Sequence, residues 1–100
     1  MFIAMNRFKI ASGREDEFIT IWKHRESHLG HVPGFKAFHL LQGQITAEYT
    51  EFASHSTWES ADAFQAWTKS DAFRKAHASA GSTKGIYIEA SQFEGYRQVL

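Results

Sequence analysis

The sequence has no cysteine among its 100 residues. Disulfide bonds, thiolate metal ligands and thiol nucleophiles are therefore excluded, and the absence agrees with a reducing compartment. Long hydrophobic runs are also missing, since no apolar stretch approaches the roughly 18 residues of a membrane-spanning helix. The first residues, MFIAMNRFKI, lack the basic and apolar segments of an export signal. We therefore expect a cytoplasmic protein that does not enter a membrane.

The chain carries no excess of charge of either sign. Eleven Lys and Arg residues balance eleven Asp and Glu residues, and the sequence pI is about 7.0. Because surfaces that bind nucleic acid or anionic lipid are strongly basic, we expect neither partner. Aromatic residues are abundant instead, with nine Phe, three Trp and three Tyr beside six His. They provide large, flat apolar surfaces, which suit either a protein core or a flat ligand.

The hydrophobic pattern predicts four strands. Period-two alternation or a β-favouring composition marks the strands, at residues 2–10, 35–41, 48–58 and 86–93. The intervening Gln42-Gly43-Gln44 predicts a hairpin break between the second and third strands.

Three helices are predicted between these strands. An acidic start and a stripe of apolar residues at helical spacing predict a helix over residues 14–29, which Gly30 ends. Ser60 and Ser70 each suit an N-cap, so we expect two short helices in tandem. Small and polar residues then predict a loop over 78–85.

This order of elements is typical of the α+β, ferredoxin-like split βαβ fold, with one antiparallel sheet and helices on one of its faces. No linker or long repeat divides the chain, so residues 1–100 are expected to form a single domain. A chain this short leaves much of its surface exposed, and the helices leave the second face of the sheet uncovered. We therefore expect two such sheets to pack face to face in a homodimer.

The segment FQAWTKSDAFRKAH, residues 64–77, has the most distinctive spacing. Phe64 and Trp67 are three residues apart, and Phe73 and His77 are four apart, so each short helix can present two side chains on one face. The residues alone leave two interpretations open for each candidate. Trp67 either packs in the core or contacts a ligand, and His77 either caps a helix end or acts as a ligand.

Two polar side chains are predicted on otherwise apolar surfaces. Asn6 shares a strand face with Ala4 and Phe8, where a buried amide needs a hydrogen-bond partner. That partner is either neighbouring backbone or something bound in a cavity. Arg25 lies within the apolar stripe of the first helix, where it either extends its stem over the core or binds an anion.

Histidine spacing in the first helix raises the question of a metal site. His24 and His28 are four residues apart, but the segment HRESH lacks the HExxH arrangement of zinc proteases. His31 lies beyond Gly30, where the helix is expected to end. A solvated helix face is therefore the favoured interpretation, and no Ser, His and Asp set stands out as a catalytic triad.

One set of three residues resembles the IsdG-type haem-degrading monooxygenases, within the dimeric α+β-barrel family of antibiotic biosynthesis monooxygenases. It consists of Asn6 followed by Arg7, Trp67, and His77 ten residues after Trp67. The resemblance extends over nearly the whole chain through GFKAFHLLQG and STWESADAF. It implies that His77 is the axial ligand of the haem iron and that Asn6 hydrogen-bonds on the distal side. It also implies that Trp67 packs on the porphyrin and forces it out of plane.

The same resemblance implies the activity and the partners. Haem is then both substrate and cofactor, and the ring is cleaved with O2 to release iron and a bilin-type product. Trp22, Arg25 and Phe73 are expected to complete the haem contacts. Electrons come from an external donor, a reductase, because the sequence lacks a nucleotide-binding fingerprint. Two alternatives stay open: a cofactorless oxygenase of the same fold acting on a phenolic or quinone-like compound, and a haem-binding module without turnover.

The sequence makes a testable prediction about assembly. Because a second sheet must cover the apolar residues that the helices cannot reach, we expect a homodimer at micromolar concentration. Light scattering coupled to size-exclusion chromatography measures the mass directly. A monomeric mass that does not change with concentration would contradict the prediction.

Overall fold

The computed structural model describes residues 1–26, 29–71, 73–74 and 85–100. The order of strands and helices along the chain agrees broadly with the prediction. In chain order, the elements are β1 (Phe2–Ala11), α1 (Glu15–Glu26), β2 (Phe35–Ile45), β3 (Tyr49–Trp58), α2 (Ala61–Thr68) and β4 (Gln92–Arg97). This is the βαββαβ order of the ferredoxin-like fold, so the predicted fold class is confirmed.

Strand β1 lies inside a four-stranded antiparallel sheet whose strand order is β2-β3-β1-β4. It pairs with β3 along its whole length and with β4 over residues 2–7. Ala4, Phe8 and Ile10 are buried on the face toward the helices, as the alternation predicts. The strand therefore carries its inward side chains into the middle of the molecule.

The described helices pack on this same face through aromatic side chains. Phe18 of α1 is fully buried against Phe8 and Phe52. At the other end of the sheet, Trp67 of α2 lies against the fully buried Trp58, with ring centroids 5.3 Å apart. Two separate aromatic clusters thus attach the helices to the sheet. No helix within the described ranges is long and apolar enough to cross a membrane.

The opposite face of the sheet carries a mixture of charged and apolar side chains. Arg7 of β1 forms an ion pair with Glu94 of β4, with 2.8 Å between Nη1 and Oε1. Leu41 and Tyr96 are 44% and 45% exposed on this face. This is the face that a second copy of the chain is expected to cover.

Helix α1 is shorter than the predicted range of residues 14–29. It spans Glu15–Glu26, and Leu29 lies in a turn. Leu29 is nevertheless buried, because the turn directs its side chain against Ala4 and Trp58. The apolar stripe continues in the sequence beyond the end of the helix, because the helix and the following turn contact the same core.

The predicted hairpin break at Gln42-Gly43-Gln44 is wrong, because β2 continues through these residues to Ile45. The turn lies at Thr46 instead. The Thr46 hydroxyl accepts hydrogen bonds from the backbone N–H groups of Glu48 and Tyr49, at 3.3 and 3.1 Å. A threonine hydroxyl that accepts from turn amides in this way stabilises the turn without a glycine.

The prediction of a strand over residues 86–93 is wrong except at its end, because β4 begins at Gln92. Tyr87 does pair with Ile10, as an isolated bridge. Gln92, however, lies opposite Arg7, so five steps along this segment face three steps along β1. The excess residues interrupt the ladder as a bulge.

Serine side chains cap the two short helices as predicted. Ser60 precedes α2 and accepts a hydrogen bond from the backbone N–H of Ala63 at 3.1 Å. Ser70 accepts one from the N–H of Phe73 at 3.2 Å, and residues 71, 73 and 74 are helical. The loop predicted at 78–85 lies outside the described residues except for its last one.

Glu15 joins the start of α1 to the sheet. One carboxylate oxygen accepts from the backbone N–H of Gly13 at 2.6 Å, and the other accepts from the hydroxyl of Thr50 at 3.0 Å. Thr50 is a fully buried residue of β3. The backbone N–H of Glu15 itself and the Thr50 hydroxyl lower the pKa of the Glu15 carboxyl. The ionised carboxylate is therefore the form that holds the helix start to β3.

We predict that Glu15→Gln lowers the free energy of unfolding near neutral pH. A carboxyl whose pKa is lowered by folding stabilises the native state above its unfolded-state pKa, and this contribution is lost as the pH falls through the folded-state pKa. The difference between wild type and variant should therefore shrink on acidification. Urea unfolding at a series of pH values measures it, with Asp16→Asn, on the next and exposed position, as the control. A difference that grows as the pH falls would contradict the prediction.

Candidate functional site

A cavity of about 800 Å³ lies between the sheet and the helical layer. Its floor is formed by inward-facing residues of β1 and β3, and three of them, Ala4, Ser54 and Ser56, are small. Larger side chains would fill this space, as they do in the two aromatic clusters on either side. The cavity therefore results from small residues placed between two well-packed regions.

Aromatic rings form the wall on the α2 side. The indole of Trp67 lies 4.8 Å from the ring of Phe73, centroid to centroid, in an edge-to-face arrangement. Phe64 stacks on Phe93 of β4 at 5.6 Å, with the ring planes 5° apart. Trp67, Phe73, Phe64 and Phe93 all border the cavity. This wall thus spans from the helical layer to the edge strand of the sheet.

A second aromatic wall lies on the α1 side. Trp22 of α1 stacks on Phe38 of β2, with centroids 5.3 Å apart and planes at 16°. Phe8 of β1 lies 5.7 Å from the same indole, and all three residues border the cavity. The space between the two walls is bounded mainly by apolar surface.

The described polar side chains that face this cavity differ in the hydrogen bonds that they already make. Ser56 accepts a hydrogen bond from the indole Nε1 of Trp58 at 2.9 Å and donates one to the carbonyl of Ala4 at 3.4 Å. Asn6 and Ser54 lie directly opposite each other on β1 and β3. Among the described residues, neither of these two side chains makes a hydrogen bond. They are the polar groups of the floor that a ligand can use.

An ion pair holds one of the residues that border the cavity. Glu89, which borders the cavity, lies 3.3 Å from the Nζ of Lys9 on β1. The hydrogen bond with Glu89 and its charge raise the pKa of Lys9. Lys9 also lies over the ring of Tyr49, 5.1 Å from its centroid. The pair ties the bulge before β4 to the central strand.

The structure brings together four of the six residues that the sequence singles out as a site. Asn6, Trp22, Trp67 and Phe73 all border the cavity. Trp67 packs on Trp58 in the core and also borders the cavity, so its role as a ligand contact stays a prediction. Asn6 likewise lies on the cavity floor, where something bound can reach its amide.

The other two residues cannot be placed in the same way. His77 and the side chain of Arg25 lie outside the described part of the chain. Within the described residues, no group of three or more His, Cys, Asp or Glu side chains could hold a metal ion. His28, one of the histidines of the predicted first helix, lies outside the described residues as well.

Several cavity residues are absent from the sequence-based site. Ser54 has a recognisable signal, because period-two alternation along β3 places it on the same face as Trp58. Phe38 has the corresponding signal on β2. Glu89 and Phe93 have one too, because alternation along the predicted fourth strand places them on a single face, and both border the cavity.

The arrangement suits a large, flat and mostly apolar ligand. Binding sites of this kind are lined by hydrophobic and aromatic side chains, with a few polar groups that fix orientation. The two aromatic walls can contact the faces or edges of a ligand's rings. The floor offers the amide of Asn6 and the hydroxyl of Ser54.

Sequence comparisons relate the chain to known oxygenases. Residues 1–79 match the family described as antibiotic biosynthesis monooxygenase. A curated relative from Bacillus thuringiensis (strain Al Hakam), named heme-degrading monooxygenase, is 33% identical over 92 residues. The match covers 89% of this chain and 82% of the relative.

Solved structures with the same fold include both haem-binding and cofactor-independent proteins. A mutant of MhuD with two manganese protoporphyrin IX molecules bound per active site superposes with a TM-score of 0.78 at 25% identity. That match covers 100% of this chain and 96% of the other. A mutant of SnoaB, a cofactor-independent oxygenase from Streptomyces nogalater, superposes with a TM-score of 0.73 at 15% identity, over 99% and 94% of the two chains.

Proposed function

The chain belongs to the antibiotic biosynthesis monooxygenase family, and from that premise we propose that it is a haem-degrading monooxygenase. The observation that carries the proposal is the cavity in which Asn6 lies on the floor and Trp67 in an aromatic wall. The curated relative named heme-degrading monooxygenase supports the same substrate. So does the MhuD structure with manganese protoporphyrin.

The residues of the cavity fit a porphyrin. Trp67 and Phe73 offer a ring face and a ring edge at right angles, and Trp22 adds an aromatic surface on the other side. Such surfaces hold a planar conjugated ring by contact area and exclude water from it. Asn6 offers the hydrogen bond that a polar ligand atom above the floor requires.

Two further residues complete the proposed site from the sequence resemblance. His77 binds the haem iron through a ring nitrogen, as neutral imidazole. Arg25 binds an anionic group of the haem, because a guanidinium forms strong paired hydrogen bonds with carboxylates. Haem supplies the iron and the conjugated ring for O2 chemistry, and the electrons come from an external reductase.

We also propose that the chain acts as a homodimer, forming the dimeric α+β barrel of its family. The sheet face opposite the helices supports this proposal, because it presents apolar surface at Leu41 and Tyr96. The ion pair between Arg7 and Glu94 on the same face satisfies two charges within one chain. A partner sheet can then cover them at a lower desolvation cost than unpaired charges require.

The function is tested by titrating the protein with ferric haem and then adding ascorbate and catalase in air. We expect a stable Soret band on binding, and loss of that band only with both reductant and O2. A stable pigment under all conditions would instead identify a haem-binding module. Failure to bind haem would contradict the proposal and favour a cofactorless oxygenase, to be tested with phenolic and quinone-like compounds.

His77→Ala should shift the ferric haem spectrum, weaken haem affinity and abolish degradation, because the iron loses its axial ligand. Added imidazole is expected to restore part of the ligation. The matched control is His31→Ala, which removes a histidine from an exposed turn position. An unchanged Soret band and normal haem consumption in His77→Ala would remove this assignment.

Substitutions of Trp67 distinguish bulk from hydrogen bonding. If the indole acts by pressing on the porphyrin, Trp67→Phe keeps part of the turnover, while Trp67→Ala loses about tenfold or more, equivalent to at least ~1.4 kcal/mol in the barrier. Single-turnover kinetics with pre-bound haem measure both variants, and urea unfolding checks that each is folded. Equal losses at unchanged stability would show that the indole N–H matters, not ring size.

A further inference from the structure

The floor of the cavity contains a second polar residue that the sequence resemblance does not assign. Ser54 lies on β3 directly opposite Asn6 of β1, and both border the cavity. Side chains of directly opposed residues share one face of the sheet, and their Cβ atoms are about 4.5–5.5 Å apart. A hydroxyl and a carboxamide can bridge that separation with one hydrogen bond.

The two serines of the floor differ in the hydrogen bonds that their hydroxyls already make. Ser56 is engaged by the indole N–H of Trp58 and by the carbonyl of Ala4. Ser54 is only 5% exposed, yet among the described residues its hydroxyl makes no hydrogen bond. Within the described part of the chain, Ser54 Oγ is not one of the fully buried polar atoms that lack a partner. The hydroxyl therefore faces the open cavity, where its hydrogen-bond partner is water or the side chain across the strand.

Binding of a flat ligand on the floor determines which of these two partners the Ser54 hydroxyl has. When an apolar ring covers the floor, water is displaced, and polar groups left without partners would cost free energy. Asn6 is the side chain directly across from Ser54, so the two groups can satisfy each other. A carboxamide has an acceptor end and a donor end, and an acceptor-side bond to Ser54 leaves the donor end free for the ligand.

We propose that Ser54 is a positioning residue for Asn6, and that its hydroxyl donates a hydrogen bond to Asn6 Oδ1 when the cavity is filled. This bond directs the Nδ2–H groups of Asn6 toward the ligand and prevents the carboxamide from turning over. The proposal rests on the proposed haem reaction, in which Asn6 acts as a donor. Ser54 itself acts only through Asn6.

A double-mutant cycle tests this dependence. Ser54→Ala should lower the rate of haem degradation about fivefold, the worth of one neutral hydrogen bond, while haem affinity stays within about twofold. In an Asn6→Ala background, Ser54→Ala should cause no further loss, because the group it positions is absent. Ser54→Thr, which keeps the hydroxyl, should restore most of the rate. Equal and additive losses in the two backgrounds would overturn the proposal.

A spectroscopic measurement tests the pairing independently of turnover. In ¹⁵N-labelled protein loaded with zinc protoporphyrin, which is inert to reductant, the Nδ2–H signals of Asn6 should exchange slowly with solvent. Ser54→Ala should shift these signals and speed their exchange, and Ser54→Thr should not. Thr57→Val is the matched control, because Thr57 lies on the same strand but on the opposite face.

The outcomes separate this proposal from the proposed function. If zinc protoporphyrin and haem do not bind, the function is wrong and no pairing in a haem site exists. If the wild type binds both but never consumes haem, the Asn6 signals still decide whether Ser54 holds the carboxamide. If Ser54→Ala leaves these signals unchanged while the wild type degrades haem, the function stands and the positioning role is wrong.

Discussion

The pairing of β1 on both of its edges is the constraint on which the rest of the structure depends. β3 and β4 fix its register from either side, so Ala4, Asn6, Phe8 and Ile10 must all face the helices. A slip of one residue would turn this entire set to the other face of the sheet. The register of β1 therefore determines the core, the cavity floor and the orientation of the Asn6 side chain.

The cavity exists because the side chains on the helix-facing side of the sheet change in size along its length. Phe8, Phe18 and Phe52 pack closely at one end, and Trp58 with Phe64 and Trp67 fills the other. Between them, the floor offers Ser54 and Ser56, whose short side chains leave space below the helical layer. Both clusters hold the helices at a fixed distance from the sheet, and this keeps the middle open at some cost in buried apolar area.

Sequence periodicity predicts the central part of this fold well and its edges poorly. The alternation along β1 is clear because both neighbours are paired and one face is buried. The end of β2 and the start of β4 depend on the Thr46 hydroxyl and on a bulge, neither of which alters the hydropathy pattern. In the site, Asn6 and Trp67 stand out by their resemblance to a family. Ser54 does not, because alternation along β3 gives the face on which it lies but not the residue opposite it on β1.

The bulge between Tyr87 and Gln92 has an evolutionary consequence. Glu89, Ala90 and Ser91 border the cavity but lie outside the regular ladder with β1. Residues can be inserted or deleted there without shifting β1 or β4, since no strand pairing depends on their number. This border of the cavity can thus differ in length among related chains while the floor on β1 and β3 keeps its register. One scaffold can in this way acquire new substrates by changing the length of a single segment.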